Sequence, residues 1–427
     1  MAARRAPHVI VVGAGAAGLA AAALLRDRGV AVTLVEARDR YGGRIDTRLD
    51  PVLGLSLEHG AEFVHGHPDR TLALARRARA AIREVPDRHQ RPRGSRLAGI
   101  TAAYARAQEL LALGTRDDES IGALLRRRSA LRRSREAIPL ARELVRGFYL
   151  AEPRTASSLA LARLSRGMEE LGGDTAARID GGYARILSPL ARALRGGVLR
   201  LGTVVEEVGW GRREVRLRAR GRAGGRLAPI TGSHAIVTLP LSILRDGAVR
   251  FVPALPEKQS AARALAMGPV VKVLLRFRRA PWGGRRLVFL HVPGAAVPVF
   301  WTLAPVDAPV LVGWAGGPGA ARLAGKREQD VLRAAIRSAS HGLGVPPAEL
   351  EDLLDGAAIA DWTRDPFARG GYAVFPVGSD GASAALARSV EGTLFFAGEA
   401  TAAGLAGTVE GALRSGERAA REVLETL

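Results

Sequence analysis

HVIVVGAGAAGLAAAALLRDRGVAVTLVEARDRYGGR, residues 8–44, runs from an apolar strand through a glycine turn and a helix into a second strand. His8 to Val12 is a short apolar run bounded by glycine, the pattern of a buried parallel strand. Gly13-x-Gly15-x-x-Gly18 follows, then an alanine-rich helix ending near Gly29 and a strand from Val32 to Val35 that closes on Glu36. Gly13 permits the tight turn, Gly15 lets backbone approach a pyrophosphate, and Gly18 lets helix pack on strand. The helix N-terminus favours negative charge at the same place. Glu36 stands where a carboxylate can hydrogen-bond a ribose hydroxyl, which disfavours a 2′-phosphate and therefore NADP. A lone glycine fingerprint is weak, but here strand, turn, helix, strand and acid come in the required order.

The next piece, from Arg38 to Gly42-Gly43-Arg44, separates FAD from NAD. Here the chain resembles the flavin-containing amine oxidase family, whose first βαβ unit is followed by such a diglycine and arginine lying against the flavin pyrophosphate. A guanidinium fork suits that role. The resemblance implies an α/β fold: a Rossmann-type FAD-binding domain with a discontinuous α+β substrate-binding domain. Residues 1–70, 178–250 and 388–427 would form the first, and 71–177 and 251–387 the second. Cofactor-binding residues expected from the opening stretch are Gly13, Gly15, Ala16, Ala17, Gly18, Glu36, Ala37, Arg38, Gly42, Gly43 and Arg44.

The chain's 427 residues allow two or three domains, and 47% hydrophobic content suits a soluble globular protein. The formal net charge is +21. Such a charge commonly signals nucleic acid, anionic membrane or acidic ligands. Of the 63 basic residues, however, only Lys258, Lys272 and Lys326 are lysines. That skew reads as compositional habit, and no basic segment interleaved with aromatics suggests a nucleic-acid groove. With no cysteine, disulfides, thiolate chemistry and a thioether link to flavin are excluded, so FAD is expected to be held non-covalently. The eight histidines lack a metal-ligand spacing, and no metal is expected. Arg4-Arg5 before an apolar run imitates a twin-arginine export signal, but that run is the cofactor-binding unit itself. No stretch reaches the ~20 apolar residues of a membrane span. The expected location is cytoplasmic, without membrane or nucleic-acid partners, and the oligomeric state stays open, a homodimer included.

Leu57-Glu58-His59-Gly60-Ala61-Glu62-Phe63-Val64-His65-Gly66 is similar to a family segment whose backbone passes beside the isoalloxazine. Gly60, Ala61, Glu62 and Phe63 are thereby flavin neighbours, and His65 holds a position that carries a polar or acidic group facing the amine in polyamine-oxidising members. A hydrogen-bonded loop histidine is the competing reading. From about 70 to 177 the chain reads as arginine-studded helices, Thr71 to Glu84, Thr101 to Leu113 and Ile121 to Phe148, with solvated faces. Asp180 to Tyr183 and the helix through Leu194 again resemble the family. Strands are expected over Val198 to Val208, Glu214 to Ala219 and from His234 to Thr238, and a helix ending at Met267-Gly268. By resemblance Val205 contacts adenine through its backbone.

Val270 to Phe277 alternates, with Val271, Val273, Leu275 and Phe277 on one face and Lys272 on the other beside Val270 and Leu274. In a chain whose basic residues are almost all arginine, a lysine there argues for chemistry that arginine cannot supply, because a desolvated lysine can lose its proton. An edge-strand surface lysine is the alternative. The family places a lysine after such a Met-Gly, where it holds a water against flavin N5. Ala320 to Leu343 reads as another helix. Trp362, Gly370-Gly371 and Tyr372 follow the family pattern, with Gly371 where covalently flavinylated members have cysteine and Tyr372 as one wall of the amine cage. Gly398, Glu399, Gly407, Thr408 and Val409 form a second cofactor segment leading into a long helix whose dipole can stabilise negative charge on reduced flavin. Thr408 replaces a second cage tyrosine, so the cage is open on one side.

The resemblance implies oxidation of a small-molecule amine: hydride from its α-carbon to FAD, hydrolysis of the imine, and reoxidation by O2 to hydrogen peroxide. Lys272, Tyr372 and His65 are the expected catalytic residues. Given the positive charge, single-nitrogen or carboxylate-bearing amines are expected to outperform spermine, unless Glu62 and neighbouring acids form a local negative mouth. An L-amino-acid oxidase, a desaturase on the same fold, and a flavin-bearing interaction protein are the alternatives.

Overall fold

The computed structural model describes residues 6–94, 96–114, 117–128, 137–173, 175–194 and 196–427. Arg4-Arg5 and residues 129–136 of the Ile121 to Phe148 run lie outside the described residues. The opening stretch folds as β1 (His8–Val12), α1 (Ala16–Asp27) and β2 (Ala31–Val35). β1 lies at the centre of a five-stranded sheet, flanked by β2 and His234–Val237, with Leu199–Arg200 and Leu394–Phe396 at the edges. All the pairings are parallel. Covered on both faces, such a sheet needs strands that are apolar throughout; Val9, Ile10 and Val11 are fully buried. Beginning, middle and end of the chain thus meet in one sheet.

On one face of that sheet, α1 packs against the C-terminal helix Val409–Leu424 so closely that a Cβ on Gly416 would lie 2.1 Å from the Ala17 carbonyl oxygen. A four-stranded sheet contains Thr203–Gly211 and Glu214–Gly221, an antiparallel hairpin.

The second large sheet has seven strands in the order Leu354–Asp361, Val270–Phe277, Val310–Gly316, Val299–Thr302, Phe289–His291, His89–Arg93 and Arg96–Gly99. Lys272 is therefore on an interior strand, paired with Trp314 on one side and Ala360 on the other, which excludes the edge-strand alternative. Val271, Val273, Leu275 and Phe277 share one apolar cluster, as the alternation predicts.

Three expectations are corrected. The 71–177 region is not wholly helical: the first helix is Asp69–Arg77, and strands Ile82–Val85, His89–Arg93, Arg96–Gly99 and Ala176–Ile179 follow. Pro86 and Pro92 disfavour helix at the residues before them, and pairing across sequence distances invisible to local periodicity does the rest. The segment before Gly268 splits into helix Pro256–Ala264 and strand Ala266–Met267. Ala320 to Leu343 is two helices, Pro318–Leu323 and Glu328–Leu343, separated at Gly325, whose φ of +77° suits glycine.

Candidate functional site

A single cavity of about 1310 Å³ extends from the glycine turn to the seven-stranded sheet. That exceeds the roughly 300–1,000 Å³ of a drug-sized site. Of the candidate residues named from the sequence, only Gly18 fails to line it. Gly18 sits beneath the turn, where an added Cβ would fall 1.8 Å from the Gly13 carbonyl oxygen.

At the dinucleotide end, Gly13 has φ +103° and Gly15 has no atom within 4 Å of where its Cβ would be. Gly15 caps α1 without a side-chain hydrogen bond, leaving the first helical amides for an anion. Gly42 and Gly43 lie across this turn: the Gly42 amide donates to the Ala14 carbonyl at 2.8 Å, and a Cβ on Gly43 would meet the Gly15 Cα at 3.4 Å. Glu36 is buried inside the cavity wall, accepting from the Ala14 amide at 2.8 Å and the Arg38 amide at 2.9 Å. Arg38 also pairs with Asp365 at 2.5 Å. Arg44 donates to Glu399 at 2.8 Å and to the Gly371 carbonyl at 2.6 Å, while Glu399 accepts from the Gly407 amide at 3.0 Å. One buried carboxylate thus ties the diglycine arginine to both later cofactor segments. These features fit FAD: a turn with room for a pyrophosphate, an uncapped helix end and a buried ribose acid.

At the other end Lys272 is 1% exposed. Its Nζ donates to Glu62 Oε2 at 2.6 Å and to the Gly60 carbonyl at 3.3 Å. Glu62 Oε1 accepts from Arg178 Nη2 at 2.7 Å and Trp301 Nε1 at 2.9 Å. Burial works against this carboxylate, but the two cations prevail and hold its pKa below the ordinary value. Glu62 therefore lines the cavity as a counter-ion shared by the buried Lys272 and the partly buried Arg178, not as a free negative mouth. Arg178 also donates to the carbonyls of Thr302 and Ala304, so each of its three guanidinium nitrogens has a protein acceptor. Sequence gave no sign of it, one arginine among so many.

Two other predicted residues are constrained in ways the sequence did not disclose. The Tyr372 hydroxyl donates to the Phe148 carbonyl, and its ring lies about where a Cβ on Gly407 would contact it at 3.2 Å. Thr408 is the N-cap of the C-terminal helix, its Oγ1 accepting from the Gly411 amide at 2.9 Å and donating to the Leu405 carbonyl at 2.7 Å. It is held as a cap, so it cannot turn its hydroxyl freely toward a ligand. His65 stands edge-on to Phe148 with ring centres 6.1 Å apart; burial pushes its pKa down to about 4, so it is neutral at neutral pH. Trp362 donates to the His59 carbonyl at 2.9 Å and braces Gly60.

The cavity wall also contains Glu84, Asp87, Glu109, Glu143, Glu152 and Glu169, with Arg146 and Arg322 among its basic residues. A chain with a strongly positive total thus lines this cavity with more carboxylates than cations, eleven against seven. No helix among the described residues is long and apolar enough to cross a membrane.

The family model described as flavin containing amine oxidoreductase matches residues 16–424. The chain is 26% identical to human lysine-specific histone demethylase 2, an alignment covering 97% of this chain and 53% of that protein. It is 29% identical to polyamine oxidase 1 of Oryza sativa subsp. japonica, with 98% and 97% covered. The chain spans about half the length of the demethylase relatives it matches. Among solved structures it superimposes on wild-type putrescine oxidase bound to putrescine with a TM-score of 0.80 at 22% identity, covering 98% of this chain and 99% of that one. Cyclohexylamine oxidase from Brevibacterium oxydans IH-35A gives 0.81 at 22% identity, with 99% of each chain covered.

Proposed function

The chain belongs to the flavin-containing amine oxidoreductases, and from that premise we propose that it is an FAD-dependent oxidase of a small-molecule amine. The observation that carries this reading is the single cavity joining the glycine turn to Lys272, Tyr372 and His65. Gly13, Gly15, Ala16, Ala17 and Glu36 would hold the adenosine diphosphate half of FAD, and the segments at Gly60 and Gly407 the flavin. When bound, FAD supplies the acceptor for a hydride from the amine's α-carbon and passes the electron pair to dioxygen, giving hydrogen peroxide.

The protein's own part is orientation and proton handling. The amine must be neutral, since its nitrogen lone pair forms the C=N bond as hydride leaves and an N–H proton goes to water. Tyr372, with its hydroxyl held by Phe148, offers a fixed ring face to that nitrogen. His65, kept neutral by burial, adds no repelling charge. Lys272 is fixed by Glu62 and the Gly60 carbonyl in the wall of the cavity, from where a third ammonium proton can bind a water. The imine is hydrolysed by water.

The excess of carboxylates in the cavity wall weighs against carboxylate-bearing substrates, reversing the preference expected from net charge. An L-amino-acid oxidase needs an arginine fork for the substrate carboxylate. Arg38 and Arg44 are engaged by protein acceptors at the dinucleotide end, so Arg146 and Arg322 of the cavity wall are the forks that a carboxylate-bearing substrate would have to use. A peroxide-coupled screen of FAD-loaded protein against amines, polyamines and amino acids tests the proposal. Peroxide from amines and not from amino acids is expected; no peroxide and no anaerobic bleaching of the flavin by any amine overturns it.

A further inference from the structure

Tyr372 follows a diglycine, Gly370-Gly371, and precedes a strand of only two residues, Ala373–Val374. Gly370 has φ +139°, a value that suits glycine. So permissive a backbone sets no position by itself, and the tyrosine stays in place only if neighbouring groups hold the peptide units on either side of it. Two distant segments supply those holds.

The Gly371 carbonyl, on the peptide unit before Tyr372, accepts from Arg44 Nη1 at 2.6 Å. On the unit after it, the Ala373 amide donates to Glu399 Oε2 at 3.3 Å, and the Tyr372 carbonyl accepts from the Gly268 amide at 2.9 Å. Arg44 Nη1 and Glu399 Oε1 are themselves 2.8 Å apart. One ion pair therefore brackets the tyrosine along the chain. Glu399, 5% exposed, also accepts from the Gly407 amide at 3.0 Å, and Gly407 lies against the Tyr372 ring. The same carboxylate thus sets both the backbone of the tyrosine and a surface its ring packs on.

Arg44 spends only Nη1 in this way. Its Nε and Nη2 have no protein acceptor among the described residues, and the side chain lines the cavity next to Gly43, which lies against Gly15 of the glycine turn. A guanidinium is planar and rigid, so an anion drawn to one edge of the fork fixes the other edge. We propose that Arg44 and Glu399 are positioning residues for Tyr372: the pair mounts the cage tyrosine and, through the free edge of the Arg44 fork, couples its placement to the diphosphate of the cofactor. The ring is then held most firmly in protein already loaded at the dinucleotide end. This rests on the amine-oxidase reading and adds to it a link between cofactor and amine wall.

Glu399→Gln tests the mount, because both carboxylate oxygens face only donors and an amide, whichever way it turns, sets its NH2 against one of them. In FAD-loaded protein, hydrogen exchange of the amides in residues 370–374 should speed up by about tenfold or more, the worth of a charge-assisted hydrogen bond. The limiting rate of anaerobic flavin reduction by an amine should fall about as much. In a Tyr372→Ala background the same substitution should change that rate by less than about twofold, since an effect carried by the ring vanishes with it. Equal losses in the two backgrounds, or unchanged exchange, overturn the mount. The coupling is read without flavin chemistry: excess ADP added to FAD-free wild-type protein should slow exchange at 370–374 several-fold, and should not do so in Glu399→Gln. Wild-type exchange untouched by ADP overturns the coupling even if Glu399→Gln does not fold, and equal slowing in the variant overturns it too. If no amine reduces the flavin, the amine-oxidase reading falls while the exchange measurements still decide the mount.

Discussion

Lys272 Nζ lies 2.6 Å from Glu62 Oε2, and both side chains are almost wholly excluded from solvent. Arg178 Nη2 reaches the other oxygen of the same carboxylate at 2.7 Å, so one anion holds a buried and a partly buried cation. Removing one cation leaves a paired carboxylate; removing the anion leaves two cations facing each other in a low-dielectric wall.

That asymmetry orders two substitutions. Glu62→Gln should destabilise by about 3–5 kcal/mol, the cost of stranding buried charge, whereas Lys272→Met should cost about 1–2 kcal/mol because Met fills the stem's volume and Glu62 keeps Arg178. Urea denaturation of both variants and of the double mutant measures it. A larger loss for Lys272→Met than for Glu62→Gln would show that the carboxylate does not hold the cluster.

Lys272→Met should nevertheless reduce aerobic amine turnover by roughly 10²–10⁴, the usual worth of a positioned proton-handling group. FAD binding should be retained. Stopped-flow measurement should find flavin reoxidation slowed more than anaerobic reduction, and Lys272→Arg should not restore the rate. Wild-type turnover by Lys272→Met in air would reduce this lysine to a structural cation.

The two inner glycines of the turn should fail differently. Gly18→Ala drives a Cβ to 1.8 Å from the Gly13 carbonyl oxygen and should cost about 3 kcal/mol or more. Gly15→Ala meets no protein atom and has φ −73°, which alanine accepts. Its apo-protein should melt normally, within about 1 kcal/mol of wild type, while FAD affinity falls because the methyl occupies the pyrophosphate's approach. FAD binding undiminished in Gly15→Ala would put the pyrophosphate elsewhere.

With no cysteine in the chain and Gly371 at the family's linkage position, acid precipitation should release all flavin into the supernatant. Yellow colour retained in the pellet would contradict it.

Glu58 provides a pH signature. Its carboxylate accepts from the Tyr183 amide at 2.6 Å and from Thr47 Oγ1 at 2.8 Å, yet burial dominates and pushes its pKa from 4.5 to about 7. Between those values the folded state keeps a proton that the unfolded chain has lost, so this contribution is full below pH 4.5 and fades as pH rises through 7. The span is worth about 3 kcal/mol. Glu58→Gln should therefore be less pH-sensitive, its melting temperature gaining on the wild type's between pH 5 and 8. A constant difference across that range would refute the shift.

The dinucleotide end was legible from residues 8–44 because each requirement there is local: glycine where a Cβ would collide, a helix starting at the turn, and an acid closing the next strand. The burial of Lys272 was also legible, as a lysine among aliphatics in an arginine-rich chain. Its partner was not, because Glu62 is 210 residues away and meets it only through the placement of an interior strand beside the Gly60 segment. Ile82–Val85 and His89–Arg93 escaped notice for the same reason, their partners Ala176–Ile179 and Phe289–His291 lying far along the chain. Net charge misled about the cavity, since it sums the whole surface and says nothing of which acids turn inward. Backbone demands are met by neighbours in sequence and can be read there; the burial and pairing of charges depend on packing across the whole chain, so only the tertiary structure decided what lines the cavity.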